Sequence, residues 1–149
     1  MEPLKIKIKK THDQARPPLI TRGNACFDFY ALEDTEIRSM HKGPATLVRT
    51  GLALEIPEGY HMKLFMRSSD GAKKKIFLAN CVGIIDSSYR GEIRGIFKAA
   101  TGRDSTKWIR AGERFMQGLI ERNIPVEFEE ADKLSQTERG EGGFGNTGE

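Results

Sequence analysis

Several functions are excluded by what this chain has little of. Only two of its 149 residues are cysteines. Cys26 and Cys81 sit in hydrophobic runs without metal-ligand spacing, which argues against a disulfide or a zinc site and predicts buried free thiols. The three histidines, His12, His41 and His61, form no ligand pattern either. No apolar run is long enough to span a bilayer, and Met1 to Lys5 has no apolar signal core, so a soluble, intracellular protein without a membrane partner is expected. Charge of one sign is also lacking: 24 Lys+Arg against 21 Asp+Glu leave a formal net of +3. That is too small a bias to draw nucleic acid, though it does not hinder an anionic substrate. The dense basic run Lys73-Lys74-Lys75 has no interleaved aromatic residue and reads as a solvated loop face.

What the chain does have is 16 glycines and 6 prolines dispersed among short apolar runs. Many turns between short strands, and no long helix, give an all-β domain. The length suits one domain, which buries about two thirds of its unfolded surface. Leu4, Ile6 and Ile8 alternate with lysines as a half-buried first strand at a sheet margin. His12 to Gly23, with Pro17-Pro18, is a connector. Asn24 to Ala31 is a strand carrying Asp28 among aromatics. Burying that acid bare is costly, so Asp28 must be exposed, paired or near a metal. Ala45 to Glu55 reads as two apolar pieces around Thr50-Gly51, followed by a tight turn with Pro57 second and a strand from Tyr60 to Met66. The polar insert Thr101 to Thr106 reads as a hairpin loop. Ala111-Gly112 turns into a strand ending near Ile120, and Pro125 to Phe128 is the last strand. The expected division is a β-domain over residues 1–134 and a flexible glycine-rich arm over 135–149.

Four stretches carry chemistry. In Asn80 to Gly95 a hydrophobic run delivers Asp86 to the lip of a turn, and the return through Tyr89-Arg90-Gly91 makes a β-hairpin. Asp86 either opens the turn with its side chain or orients a water from a rigid strand end, with Gly83 and Gly91 letting backbone approach a flat ligand. Arg67-Ser68-Ser69 at a strand end is either a phosphate cradle or an ordinary surface triplet. Gln117 lies on a strand as an outward polar residue or a ligand contact. The tail from Arg139 to Gly148 holds five glycines and one apolar residue. It cannot order itself, so it is a disordered terminus or an arm ordered by a ligand: glycine amides and Arg139 around an anion, Phe144 against a base.

Taken together with the Asp28 strand, and in order along residues 24–148, these four stretches resemble the five motifs of the homotrimeric dUTP pyrophosphatases (dUTPases). Asn80-x-x-Gly83-x-Ile85-Asp86-x-x-Tyr89-Arg90-Gly91 is similar to the third motif, and Arg139-Gly-Glu-Gly-Gly-Phe144-Gly145-Asn-Thr-Gly to the fifth. Ala25-Cys26-Phe27-Asp28-Phe29, Arg67-Ser68-Ser69 and Gly112-Glu113-Arg114-Phe115-Met116-Gln117 resemble the first, second and fourth. Departures fall at Cys26, Phe29, Val82, Ser88, Gly118 and Asn146. The resemblance implies a distorted jelly-roll-like β-barrel that trimerises with shared sites and hydrolyses dUTP to dUMP and pyrophosphate in the cytoplasm, or in a host's if the source is a virus. That reaction keeps uracil out of DNA and supplies dUMP for thymidylate synthesis. It implies Asp86 as the base that activates water, and Asp28 as a carboxylate reaching Mg2+ through water while the triphosphate holds the ion. Asn80, Gly83, Ile84 and Ile85 would receive uracil on backbone groups, and Tyr89 would lie against the deoxyribose. Arg67, Ser68, Ser69, Arg94, Gln117 and Arg139 would take the remaining polar contacts of the substrate, with Phe144 and Gly145 closing over it.

Two rivals share the pattern. A dCTP deaminase uses the same fold, but the glycine tail with Phe144 and the Tyr89 stretch speak against it. A nucleotide-sensing regulatory protein would keep the pocket and act through a protein partner, and the retained Asp86 favours turnover over sensing alone.

Overall fold

The computed structural model describes residues 2–143, so Phe144 and Gly145 lie outside the described residues. Ten strands and one short helix follow one another: β1 (Lys7–Lys10), β2 (Phe27–Tyr30), β3 (Thr35–Ile37), β4 (Thr46–Glu55), β5 (Tyr60–Met66), α1 (Ser68–Lys74), β6 (Ile76–Leu78), β7 (Gly83–Asp86), β8 (Glu92–Ala99), β9 (Lys107–Ile109) and β10 (Arg114–Arg122). The all-β expectation holds. The strands pair as two four-stranded sheets, β1-β4-β8-β6 and β2-β10-β5-β7, with a small β3-β9 pair. They are jelly-roll-like open sheets, not a closed ring.

Alternation explains the layering. In β8, Ile93, Gly95, Phe97 and Ala99 are buried while their neighbours are not, and in β5 Met62 and Leu64 point inward. Phe29, Phe97, Phe115, Ile37, Leu52, Ile93 and Met116 are fully buried in a single cluster, with the Phe97 and Phe115 rings 5.6 Å apart. β4 is one strand and not two pieces: its register against β8 shifts between Arg49 and Ala53. Gly51, at φ +69° in that shift, would bring a Cβ within 2.8 Å of Ala15 Cβ. A side chain there is excluded by backbone conformation and by space alike. The Gly51 amide donates to Glu92 Oε1 at 2.8 Å, and Thr50 Oγ1 donates to the Ile93 carbonyl at 2.7 Å.

Several expectations are corrected. β7 and β8 do not form a hairpin ladder: β7 pairs with β5, and β8 with β4 and β6. The turn between them is real, with the Tyr89 amide donating to the Asp86 carbonyl at 3.1 Å, but the two arms belong to different sheets. The polar insert likewise joins β8 to a strand of another pair, since β9 pairs with β3. Lys73 and Lys74 end a helix, because Asp70, 3% exposed, draws the segment inward instead of leaving it a loop. Pro125 to Phe128 forms no strand, and Ile124, Val126 and Phe128 are all exposed. The first strand begins at Lys7 and is fully exposed, though it does lie at a sheet margin. The cysteines are not buried: Cys26 is half-buried and Cys81 exposed, the latter with φ +61° in the bend before β7.

Candidate active site

The register of β2, β10 and β5 places Asp28 opposite Gln117, and Gln117 opposite Phe65. Cross-strand partners project to one face, so Asp28 and Gln117 stand side by side on the outer face of their sheet. Arg67 follows the last residue of β5 and turns toward them. Its Nε lies 3.4 Å from Asp28 Oδ1, while Arg114 Nη1 donates to Asp28 Oδ2 at 3.1 Å. Asp28 therefore resolves the embedded-acid problem by pairing with two guanidinium groups. Gln117 Nε2 donates to the Met66 carbonyl at 3.0 Å, which uses one of its two amide hydrogens.

Behind Arg67 runs a chain of alternating charge. Arg67 Nη1 donates to Asp70 Oδ2 at 3.1 Å and to the Arg114 carbonyl at 2.6 Å. Lys74 Nζ reaches Asp70 at 3.2 Å and Glu113 at 2.9 Å. Burial alone would push the Glu113 carboxyl up, but the hydrogen bond from Lys74 and the Arg110 amide outweigh it and hold the group below the usual range. Burial pulls the Lys74 ammonium down, and its bonds to Glu113 and Asp70 more than reverse that. Both directions describe one bridge kept ionised. Ser68 and Ser69 are exposed in the first turn of α1, where amide groups have no partner within the helix. Beside Asp28, the Cys26 thiol is pushed up by burial first and by the Asp28 charge second.

A second group lies at the far end of the sheet. Asp86 ends β7 opposite His61, the second residue of β5, and is exposed. Its carboxylate has no hydrogen bond or ion pair among the described residues. Ile84 is 53% exposed, Ile85 packs against the core, and Gly83 is buried, where a Cβ would lie 3.1 Å from Leu64 Cβ. Asn80 is exposed, and its carbonyl accepts from the Val82 amide at 2.6 Å. The Tyr89 ring lies over Gly91 and its hydroxyl donates to the Glu92 carbonyl at 3.1 Å. Arg94 pairs with the buried Glu92 carboxylate at 3.2 Å, which Arg49 and the Gly51 amide also hold.

One chain thus brings Asp28, Arg67, Ser68, Ser69 and Gln117 together, and separately Asn80, Gly83, Ile84, Ile85, Asp86 and Tyr89. From His61, opposite Asp86, to Arg67 is six residue steps, about 20 Å at the rise of an extended strand, whereas Gly83, opposite Leu64, is three steps from Arg67. Arg139 joins neither group; its Nε donates to the Gly142 carbonyl at 2.7 Å. Glu113 and Arg114 join the Arg67 group from the fourth-motif stretch, where only Gln117 was given a role, and Asp70 and Lys74 join it from outside the five stretches. The spacings of Asp70 to Arg67 and to Lys74, three and four residues on a helix, are the signal that could have found them. His61 carried no such signal.

Among the described residues no group of three His, Cys, Asp or Glu side chains could hold a metal. Asp28 is a lone carboxylate with both oxygens engaged by guanidinium groups. That donor set fits a magnesium that keeps its waters and takes its direct ligands from substrate phosphates, and does not fit a resident ion in a protein cage.

A dUTPase family model matches residues 13–148. The deoxyuridine 5'-triphosphate nucleotidohydrolase of Helicobacter pylori J99 is 36% identical over 146 residues, 97% of each chain. That of Wolinella succinogenes is 39% identical over 149 residues, 99% of this chain and 97% of the relative. Among solved structures, the dUTPase of Staphylococcus bacteriophage 80alpha, solved with dUpNHpp, superposes with a TM-score of 0.86 at 23% identity, covering 97% of this chain and 98% of that one. The two sheets are those of a solved dUTPase, and with the family model matched over residues 13–148 and relatives 36% and 39% identical over nearly the whole chain, the chain belongs to the dUTPase family.

Proposed function

We propose that this protein hydrolyses dUTP to dUMP and pyrophosphate. The observation that carries the reading is Asp86: a carboxylate without a partner among the described residues, at the end of a strand, in a chain similar over nearly its whole length to enzymes named for this reaction. Asp86 takes a proton from a water whose oxygen bonds to the α-phosphorus. The bridging oxygen then leaves with its electron pair on pyrophosphate. Arg67, Gln117 and Arg139, with the exposed hydroxyls and first-turn amides of Ser68 and Ser69, offset the charge on the phosphate chain. Magnesium, when bound, adds charge neutralisation along the triphosphate, with Asp28 reaching it through water. Backbone groups between Asn80 and Ile85 select uracil over cytosine because the wrong ring would leave buried polar groups unpaired. Tyr89 fills the space a 2′-hydroxyl would need. Arg94 lies beside Glu92 at the rim, and the arm of residues 135–149, with Phe144 and Gly145, closes the site against bulk water.

The separation of about 20 Å between Asp86 and Arg67 along β5 is too long for one nucleotide to bridge within one chain. It supports a trimer in which the Asp86 side of one subunit meets the Arg67 side of the next. No described helix is long and apolar enough to cross a membrane, and the cytoplasmic nucleotide pool is the setting this reading implies. The deciding experiment supplies dUTP and dCTP in turn with magnesium and follows pyrophosphate and ammonia. Pyrophosphate from dUTP alone is expected; ammonia from dCTP, or no product, overturns the assignment. Asp86→Asn is expected to bind dUTP and lose most turnover.

A further inference from the structure

The first two residues of β8 are gripped by the irregular part of β4. Where the register shifts between Arg49 and Ala53, Gly51 takes φ +69° and its amide donates to a side chain, Glu92 Oε1, at 2.8 Å. Such a bulge re-aims backbone groups that a regular ladder would consume. Arg49 Nε donates to both Glu92 carboxylate oxygens at 3.1 Å, and Arg94 Nη2 to Oε2 at 3.2 Å. The Glu92 side chain is 6% exposed, and enclosing a carboxylate is costly unless donors meet it, as the Gly51 amide and the two guanidinium groups do. One residue on, Thr50 Oγ1 donates to the Ile93 carbonyl at 2.7 Å. The start of β8 is fixed from within β4.

What this fixed end carries is Tyr89. Its ring, 44% exposed, folds back over Gly91, and its hydroxyl donates to the Glu92 carbonyl at 3.1 Å, the hydroxyl's one hydrogen bond among the described residues. The other bonds of the turn are to backbone: Arg90 Nη1 donates to the carbonyls of Ser87 and Tyr89, and the Tyr89 amide to the Asp86 carbonyl. They shape the turn without holding the far end of the ring. Glu92 thus works at two ends, a carboxylate sunk against β4 and a carbonyl that tethers the phenol.

We propose that Glu92 is a positioning residue for Tyr89: its buried carboxylate fixes the first residue of β8, and the carbonyl so fixed holds the ring where it excludes a ribose 2′-hydroxyl. The inference rests on the reading of Tyr89 as the residue that meets the sugar. dUTP and UTP differ by one oxygen, and a ring held in place rejects that oxygen by contact, whereas a loose ring turns aside and yields the space. Glu92 itself need not touch the nucleotide.

The test measures kcat and KM for dUTP and for UTP in the full-length enzyme. In Glu92→Gln the ratio of kcat/KM for dUTP over that for UTP is expected to fall about fivefold or more. An unchanged ratio, with turnover of both nucleotides lowered alike, makes Glu92 a stabilising residue of the sheet and overturns the proposal. Tyr89→Phe, which lacks the hydroxyl, is expected to lower the ratio by a similar factor, and the double variant to lower it no further than either single one. An unchanged ratio in Tyr89→Phe, or factors that multiply in the double variant, overturns it too. If Glu92→Gln does not assemble, Arg49→Met removes the guanidinium that spans both oxygens and is expected to lower the ratio about twofold or more; an unmoved ratio there has the same force. Tyr89→Ala keeps the two failures apart. The parent's ratio in that variant overturns the reading of Tyr89 and this inference with it, whereas a Tyr89→Ala enzyme that loses the ratio, beside Glu92→Gln and Arg49→Met enzymes that keep it, overturns only the role of Glu92.

Discussion

Gly118 stands opposite Phe27 in the β2–β10 ladder, and a Cβ built on it would lie 2.7 Å from the Phe27 ring and 3.0 Å from Met62 Sδ. In the sequence this glycine is a departure from the aliphatic residue expected after Gln117. In three dimensions the large ring of Phe27 occupies the volume an aliphatic side chain would take. Gly118→Val is expected to cost about 1–3 kcal/mol by overpacking, and Phe27→Ala in the same chain to recover part of that loss. Urea denaturation of the four members of the cycle checks it, and additive costs would sink the idea. A similar close approach governs Tyr89. A Cβ on Gly91 would fall 2.3 Å from the Tyr89 hydroxyl oxygen, so Gly91→Ala must displace the ring from the place where it would meet the sugar. KM for dUTP is expected to rise about tenfold, equivalent to about 1.4 kcal/mol of binding, with a smaller change in kcat. Steady-state kinetics on dUTP and UTP would read both this and any loss of sugar discrimination. The residue types of both close contacts were legible in the chain, but the atoms that make each glycine necessary come from elsewhere in the fold.

At the scale of elements, turns were easier to read than partners. The reversal at Asp86 to Tyr89 follows from local residues, but which strand accepts each arm depends on the burial faces of β5 and β4, which lie far away in sequence. Ile124, Val126 and Phe128 alternate as a strand does, yet alternation alone makes no strand, and the segment pairs with none of the described edge strands. Helix α1 was missed for the opposite reason: seven residues rich in serine, glycine and lysine carry little helical signal, and the segment is held by Arg67–Asp70–Lys74–Glu113. The pH behaviour of that network follows from the two shifts. Lys74, raised, contributes stability that is complete below the ordinary lysine range and lost as pH climbs through its folded value. Glu113, lowered, contributes stability that is complete above the ordinary carboxylate range and lost as pH falls through its folded value. The bridge is therefore intact from about pH 5 to 10. Lys74→Met is expected to cost about 1–2 kcal/mol across that window, Asp70 keeping Arg67 as its remaining partner. The difference between variant and parent is expected to narrow in denaturant melts as pH falls through the folded value of Glu113, below the ordinary carboxylate range. A cost that does not change with pH would mean that packing of the lysine stem, not its charge, holds the helix.

For the whole molecule the decisive property is the distance between the two groups of polar residues. Asp86 of β7 lies opposite one end of β5 and Arg67 follows the other end, so the sheet that presents both also keeps them apart. If each site joins the Asp86 side of one subunit to the Arg67 side of another, two inactive variants can repair one another. Asp86→Asn and Arg67→Gln chains, each inactive alone, regain activity when co-expressed and purified as mixed trimers. A site works only where an Asp86→Asn chain supplies Arg67 and its neighbour supplies Asp86, an arrangement that random assembly in equal amounts gives to about a quarter of sites. Recovery near that level, against a background measured on each variant alone at matched thermal stability, is the expected outcome. Mixed trimers no more active than the parts would place the whole site within one chain. The open distance along β5 would then have to close by a rearrangement of the sheet itself, which the β5–β7 and β5–β10 ladders oppose with every backbone bond they contain.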